Sequence, residues 1–432
     1  MASIAVIVLD TVRKDAFDRH FDWLPGTRFE NAWSSSHWTV PAHASLFTGK
    51  YGSEIGIHSK SPHFESSEPF LSELLRRNGY RTRSVCANGM LHSTGFNKLF
   101  DNFKLTGPAL KARENQFNWN EGLDRFASAG LLQYPLTFLD CLIDDSSTQK
   151  SLETAWWSKM KDHDGVLTAL KQIKSWNFGD NEFLFINLME AHAPYHPPGE
   201  YKTAETPDLQ PKTILKGDVD LSVHRQAYED EIRYLSDIYK DIFGHLYRDF
   251  DYIFTLSDHG ELIGEYGIHG HFYGVYPELT HIPLVLSKAG RSKESIGRPV
   301  SILDVPYTIA SIAEIDFCSH GVDLRKSIPK RTCITEYHGL RKGRKATCQD
   351  NGFPEEEINK YEKPLVGIAV HPSYYGYETV EDYHEQGNAE AVNPQTKLEQ
   401  MKDQLDNRSI TERDSLSPDD NVKNALRDLG YM

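Results

Sequence analysis

Asp258-His259-Gly260-Glu261 follows directly on an apolar run over residues 252–256, and Asp10-Thr11 closes another over residues 4–9. Both runs read as β-strands, so each acidic group is expected at a strand C-terminus. In an open α/β sheet those ends line the crevice where ligands bind. Two carboxylates and an imidazole gathered there form a ligand set for one divalent cation. A third segment, Ser36-His37-Trp38-Thr39-Val40-Pro41-Ala42-His43 running on to Gly49, sets a hydroxyl directly before a helix start. Pro41 falls in the first turn of that helix and Gly49 at its end. Thr39 is therefore expected to be both N-cap and nucleophile. The donors of Asp10, Thr39, Asp258 and His259 suit magnesium, manganese, calcium or zinc, so residue type leaves the metal's identity open.

The elements that must position these groups read as α/β. Strand-like runs at 3–9, 82–87, 182–188, 251–256 and 283–286 alternate with helical stretches, which predicts a doubly wound, mostly parallel sheet with helices on both faces. Residues 227–246 carry apolar side chains at three- and four-residue spacings and feed the strand that delivers Asp258; residues 70–78 form a helix ending at Gly79. We expect a catalytic domain over residues 1–330. Within it, 105–180 reads as a helical insertion, a lid or flank, in which Trp119, Trp156, Trp157 and Trp176 pack on the core or face substrate or a second copy. Residues 331–432 are expected to form a small C-terminal subdomain: an antiparallel unit including 364–370 and 374–379, an acidic extended run over 385–421, and a last helix over 422–429.

At 432 residues the chain can bury a large core, and 62 acidic against 47 basic residues give a net charge of -15, which argues against a nucleic-acid partner. The basic cluster Arg341-Lys342-Gly343-Arg344-Lys345 is short and reads as a solvated loop. No cationic leader precedes the first strand, and the most apolar stretch, 129–143, is broken by Gln133, Pro135 and Asp140, so no membrane span is expected. Five widely spaced cysteines favour reduced thiols. These features lead us to expect a soluble, cytoplasmic protein, with a homo-oligomer left open.

In order and spacing the motifs resemble the sulfatase-like branch of the alkaline phosphatase superfamily. Val8-Leu9-Asp10-Thr11-Val12-Arg13 is similar to the family's opening strand and acidic turn, and Thr39-Val40-Pro41-Ala42-His43 to its Cys-x-Pro-x-Arg helix start. Ser257 to Glu261 keeps the late Ser-Asp-His-Gly-Glu, Glu190-Ala191-His192-Ala193-Pro194-Tyr195 resembles its Asp-x-His-x-Pro-Tyr loop, and Leu429-Gly430-Tyr431 matches a terminal motif. The resemblance implies a metal-dependent ester hydrolase acting on a small-molecule, glycan or lipid ester. It assigns metal binding to Asp10, Thr39, Asp258 and His259, leaving-group protonation to His192, and substrate contact to Arg13 and Asn88. A second metal at His192 and His196, supplemented from His269-Gly270-His271, remains an alternative, although the usual Asp-x-x-x-His pattern is absent.

Departures from the family pattern carry information. Threonine cannot be converted to the formylglycine of sulfatases, so Thr39 favours phosphoryl transfer through a phosphothreonine. His43 replaces an arginine, His271 a late lysine, and Asn88 falls near another lysine position. The loss of fixed positive charge leans towards a monoanionic ester such as a phosphodiester. A sulfatase working without formylglycine, a phosphotransferase acting on a glycan or lipid, and a non-catalytic anion-binding protein stand as alternatives.

Overall fold

The computed structural model describes residues 1–112, 115–159, 165–207, 219–290, 293–390 and 393–405. Its centre is an eight-stranded sheet built on β1 (Ile4–Leu9), every residue of which is buried. A strand that is apolar throughout has no solvent face. Alternation sends Ile4, Val6 and Val8 into one core and Ala5, Ile7 and Leu9 into the other.

The remaining strands of this sheet are β2 (Thr27–Phe29), β3 (Arg81–Cys86), β4 (Asn102–Leu105), β5 (Glu182–Leu188), β6 (Tyr252–Leu256), β7 (Leu284–Lys288) and β8 (Glu294–Ile296). They lie in the order β8-β2-β7-β6-β1-β5-β3-β4, and every pairing is parallel except those of β7. The expected mostly parallel sheet is present, with β7 reversed. The chain between β6 and β7 stays at the strand-end rim, in the short pair Leu262–Ile263 with His269–Gly270 and the turn of helix Pro277–Thr280, so it re-enters the sheet from the end it left. Strands β2, β4 and β8 escaped the sequence reading because they are only three or four residues long, and β4 and β8 lie at the sheet's edges, partly exposed.

Helices cover both faces. On one lie α1 (Thr39–Thr48) and α2 (Leu71–Arg77), and α2 is followed by Gly79 at φ 83°, a left-handed turn that admits glycine without strain. After β3 comes the short α3 (Gly89–Ser93). The opposite face is dominated by α4 (Leu221–Leu246), which buries Ile232, Leu235, Tyr239, Ile242 and Leu246. It starts before the predicted residue 227 because the Asp220 side chain accepts the Ser222 and Val223 N–H groups, a cap the apolar stripe does not reveal.

The 105–180 stretch is helical, with Trp119–Arg125, Gln133–Ile143 and Thr148–Lys159 leading to Val166–Ser175. Trp119 donates from Nε1 to the Ser151 carbonyl at 2.9 Å, inside the insertion, while Trp176 packs against the main core beneath Arg83. The side chains of Trp156 and Trp157 lie outside those described. Among the described residues no helix is long and apolar enough to cross a membrane, and all five cysteines are free thiols.

The C-terminal part forms an antiparallel sheet of β9 (Thr332–Tyr337), β10 (Leu365–Val370), β11 (Tyr374–Glu378) and β12 (Tyr383–Gln386), with α5 (Lys342–Asp350) between β9 and β10. The expected extended run over 385–421 is corrected in its first part: it holds the end of β12 and a helix, Pro394–Gln404, capped by Asn393 and seated through Leu398. The predicted helix over 422–429 and the Leu429-Gly430-Tyr431 motif lie outside the described residues. The new sheet packs on the approach to α1: Glu336 N–H donates to the Ser35 carbonyl at 2.8 Å, and Trp33 stacks on Tyr375 at 3.9 Å between ring centroids.

Candidate active site

Three chain segments converge beyond the C-terminal ends of β1, β5 and β6. Asp10 leaves β1 with its N–H still donated to the Leu188 carbonyl of β5, and Thr11, at φ 60°, then turns the chain away from the sheet. Asp258 and His259 leave β6 beside it, where the Ser257 hydroxyl ties the turn to the Leu9 carbonyl at 2.7 Å. Gly260 has no freedom to be larger, since a Cβ there would lie 2.0 Å from the Glu278 carbonyl oxygen. Thr39 arrives from the other direction as the first residue of α1.

The expectation that Thr39 is the N-cap is corrected: Trp38, at φ −153° and ψ 165°, is the cap, and Thr39 makes no capping bond. Its hydroxyl instead lies 3.3 Å from His259 Nε2. The same Nε2 is 3.4 Å from Asp258 Oδ2 and 3.8 Å from Asp10 Oδ1. His259 Nδ1 donates to the Gly260 carbonyl at 2.9 Å, which turns the lone pair of Nε2 towards this cluster. Asp10 Oδ1 and both carboxylate oxygens of Asp258 are buried with no hydrogen-bond partner at normal distance. Such groups are costly unless a cation faces them, so the donor set fits one divalent ion.

Electrostatics agree. Burial, reinforced for Asp10 by the charge of Asp258, pushes both carboxyl groups up to about 7, and burial lowers His259. With the ion absent, the folded chain therefore retains protons that the unfolded chain releases between about pH 4 and 7, and stability falls as pH rises through that window. Ion binding displaces those protons, so affinity should weaken by about tenfold or more per pH unit below 7. Thermal melts with and without chelator should show an ion-induced rise in Tm that is large at pH 8 and small at pH 5. An equal rise at both values would contradict the assignment of these carboxylates as ligands.

The other sequence-predicted residues take more varied places. Asn88 supports the cluster: its Nδ2 donates to Asp10 Oδ2 at 2.9 Å, while its Oδ1 caps α3 by accepting the Met90 and Leu91 N–H groups. Arg13 is bonded to Asp15, Glu265 and the Glu261 carbonyl, where it braces the loop after β6. His43 lies under the first turn of α1, its Nδ1 donating to the Thr39 carbonyl at 2.8 Å and its ring edge-on to Phe96 and Phe185. Burial drives it down to about 3, so it stands as a neutral prop beneath Thr39 and does not stand in for an arginine's charge.

His271 and His192 form the rim. Their rings are 5.1 Å apart, and His271 is 4.6 Å from His259. His192 donates from Nδ1 to the Ala193 carbonyl at 2.7 Å and burial lowers it to about 3, leaving its Nε2 an acceptor in the resting protein. Glu261 Oε1 lies 3.2 Å from His271 Nδ1, and burial together with Asp10 holds the Glu261 carboxyl well above its usual range. Glu261 thus faces His271 Nδ1 and fixes the ring with its Nε2 edge turned away from that carboxyl. Among the described residues the single cluster of three metal-ligating groups is Asp10, Asp258 and His259; His269 is paired with His224.

Two further contributors were missed. Asn187 donates from Nδ2 to Asp10 Oδ2 at 3.0 Å, and the signal was an amide inside an otherwise apolar strand. The cluster at 341–345, read as a solvated loop, instead carries Arg341 over the Trp38 ring at 4.6 Å and Arg344 over the Phe272 ring at 5.5 Å.

The sulfatase family model matches residues 19–315. Choline-sulfatase of Rhizobium meliloti (strain 1021) is 25% identical over 321 residues, 67% of this chain and 60% of that relative, so the match spans about three fifths of the relative's length. In fold, the chain is similar to the phosphonate monoester hydrolase of Agrobacterium radiobacter, with a TM-score of 0.62 and 16% identity over 94% of this chain and 95% of that one. It is similar also to the phosphonate monoester hydrolase of Silicibacter pomeroyi, with a TM-score of 0.60 and 15% identity over 95% and 96% of the two chains. With a family match over more than half its length, and with Asp10, Asp258 and His259 gathered beside Thr39, the chain belongs to the sulfatase family.

Proposed function

We propose that the protein is a metal-dependent hydrolase of a phosphorus ester, a phosphodiester or another monoanionic ester, acting through a covalent intermediate on Thr39. The observation that carries this reading is the Thr39 hydroxyl, uncommitted to helix capping and 3.3 Å from His259 Nε2 in the buried Asp10–Asp258–His259 cluster. A divalent ion bound there supplies Lewis-acid charge beside that hydroxyl. Threonine's oxygen attacks phosphorus and gives up its hydroxyl proton, the P–O bond to the alcohol breaks, and the departing alcohol takes up one proton through the His271–Glu261 pair, which the proton released by Thr39 restores, so the step is proton-neutral overall. Water then attacks the phosphorylated Thr39, a proton passes from it through His192 Nε2 to the threonine oxygen as the Thr39–phosphorus bond breaks, and the remaining phosphorus acid, a phosphate monoester where the substrate is a diester, leaves. Asn88, Asn187 and His43 hold Asp10 and the α1 turn in register throughout.

Two proteins of similar fold are phosphonate monoester hydrolases by name, and the sequence relative is named for a sulfate ester. Thr39 separates the two chemistries, because it lacks the second hydroxyl that lets a sulfated formylglycine collapse. The test is a panel of matched nitrophenyl esters (phosphate, methyl phosphodiester, phenylphosphonate and sulfate), each with magnesium, manganese, calcium and zinc. The monoanionic phosphorus esters should exceed sulfate by at least about tenfold in kcat/KM with the best metal. A preference for sulfate with every metal would overturn the reading.

A further inference from the structure

Resting on that reading, we propose that Arg341 and Arg344 form a clamp for a second anionic group of the substrate, so that the preferred ester carries a carboxylate or phosphate beyond the reacting centre. Both residues stand at the start of α5, three positions apart and so on one side of the helix. Each guanidinium is pinned to an aromatic ring that flanks a site residue in the chain: Trp38 precedes Thr39, and Phe272 follows His271. Both residues are half-buried.

Arg341, over the ring of Trp38, stands on the Thr39 side of the site, and Arg344, over the ring of Phe272, on the His271 side. Burial lowers Arg344 to about 10, which still leaves it cationic at neutral pH. Fixed positive charge thus stands beside the residues that adjoin Thr39 and His271, where the part of the ester that does not react would extend. Guanidinium groups held rigidly by stacking lose little freedom on binding and match carboxylate and phosphate oxygens in pairs. The positive charge missing at His43 and Asn88 would then be supplied from the C-terminal part, by Arg341 and Arg344.

Two readouts test this. Binding is followed on the metal-loaded protein by the thermal shift produced by phosphonoacetate, which has two anionic groups, against methylphosphonate, which has one. Phosphonoacetate should bind about 10- to 100-fold more tightly, and in the Arg341→Ala, Arg344→Ala double variant that ratio should collapse towards one, with Arg→Lys partly preserving it. Turnover compares nitrophenyl carboxymethyl phosphate with nitrophenyl methyl phosphate and nitrophenyl aminoethyl phosphate. The wild-type protein should favour the carboxymethyl ester through KM, with a preference that shrinks at high salt and in the double variant. Equal affinity for the two phosphonates, or a preference for the aminoethyl ester, would overturn the clamp. If no phosphorus ester is turned over but the phosphonoacetate ratio holds and depends on the arginines, the clamp stands and the hydrolase reading falls.

Discussion

Thr39→Ala abolishes turnover, by roughly 10⁴-fold or more, while the protein keeps its metal. The three groups that converge on the cation, Asp10, Asp258 and His259, are untouched, so affinity for the ion should fall by no more than about tenfold. Stability should hardly move, since Trp38 and not Thr39 caps α1 and the lost hydroxyl anchors no backbone group; the cost expected is under about 1 kcal/mol. Thr39→Ser should retain measurable activity because it keeps the nucleophilic oxygen. Single-turnover kinetics and metal titration on the three proteins separate these effects. Wild-type turnover in Thr39→Ala would mean that water attacks directly and that no phosphothreonine forms.

The second large effect is expected at Asp258. Asp258→Asn should remove the ion-induced rise in Tm, lower activity by at least about 10³-fold, and raise the Tm of the chelated protein at pH 8. This substitution is cleaner than Asp10→Asn. Asp10 Oδ2 accepts from both Asn88 and Asn187, so an amide there is steered to keep its oxygen on those donors and aim its NH2 at the cation, whereas neither oxygen of Asp258 is held by side-chain amides in this way. Removing a buried charge that has lost its cation should return a few kcal/mol to the ion-free fold above pH 7, because burial raises the Asp258 pKa to about 7 and the charged form is disfavoured there. Calorimetry with chelator at pH 8 reads this directly. A persisting ion-induced shift in Asp258→Asn would place the cation elsewhere.

The parts of the molecule that were legible in its sequence are those in which a short segment carries its own cause. β1, β5 and β6 are unbroken apolar runs, so their existence and the position of the acidic residues after them follow from local pattern. Thr39 could be placed at the start of α1 from Pro41 and Gly49, although not to the single residue that decides between capping and catalysis. What escaped depends on partners distant in the chain. Arg13 resembles a substrate-binding arginine until Asp15 and Glu265 are seen on either side of it. Arg341 and Arg344 resemble a solvated charge run until Trp38 and Phe272 are seen beneath them. Asn88 is a helix cap by local rule and a second-layer support only because β3 lies one strand away from β5 and two from β1.

The central position of β1 has a consequence for how the protein is made. Its hydrogen-bonding neighbours are β5 and β6, which begin at residues 182 and 252, so β1 must wait for both of its flanks. At ordinary ribosomal speeds of about 5–20 residues per second, β1 has no partner on either side for roughly 9–35 seconds and lacks the second for several seconds more. During that interval Ile4 to Leu9 is an entirely apolar segment with two open edges, the form most prone to pair with another nascent chain. Asp10, directly after it, is then still in water and ionised at its ordinary pKa, and can act as a charged gatekeeper for the strand. The carboxylate that later faces a cation would thus first serve the ribosome-bound chain as protection against aggregation.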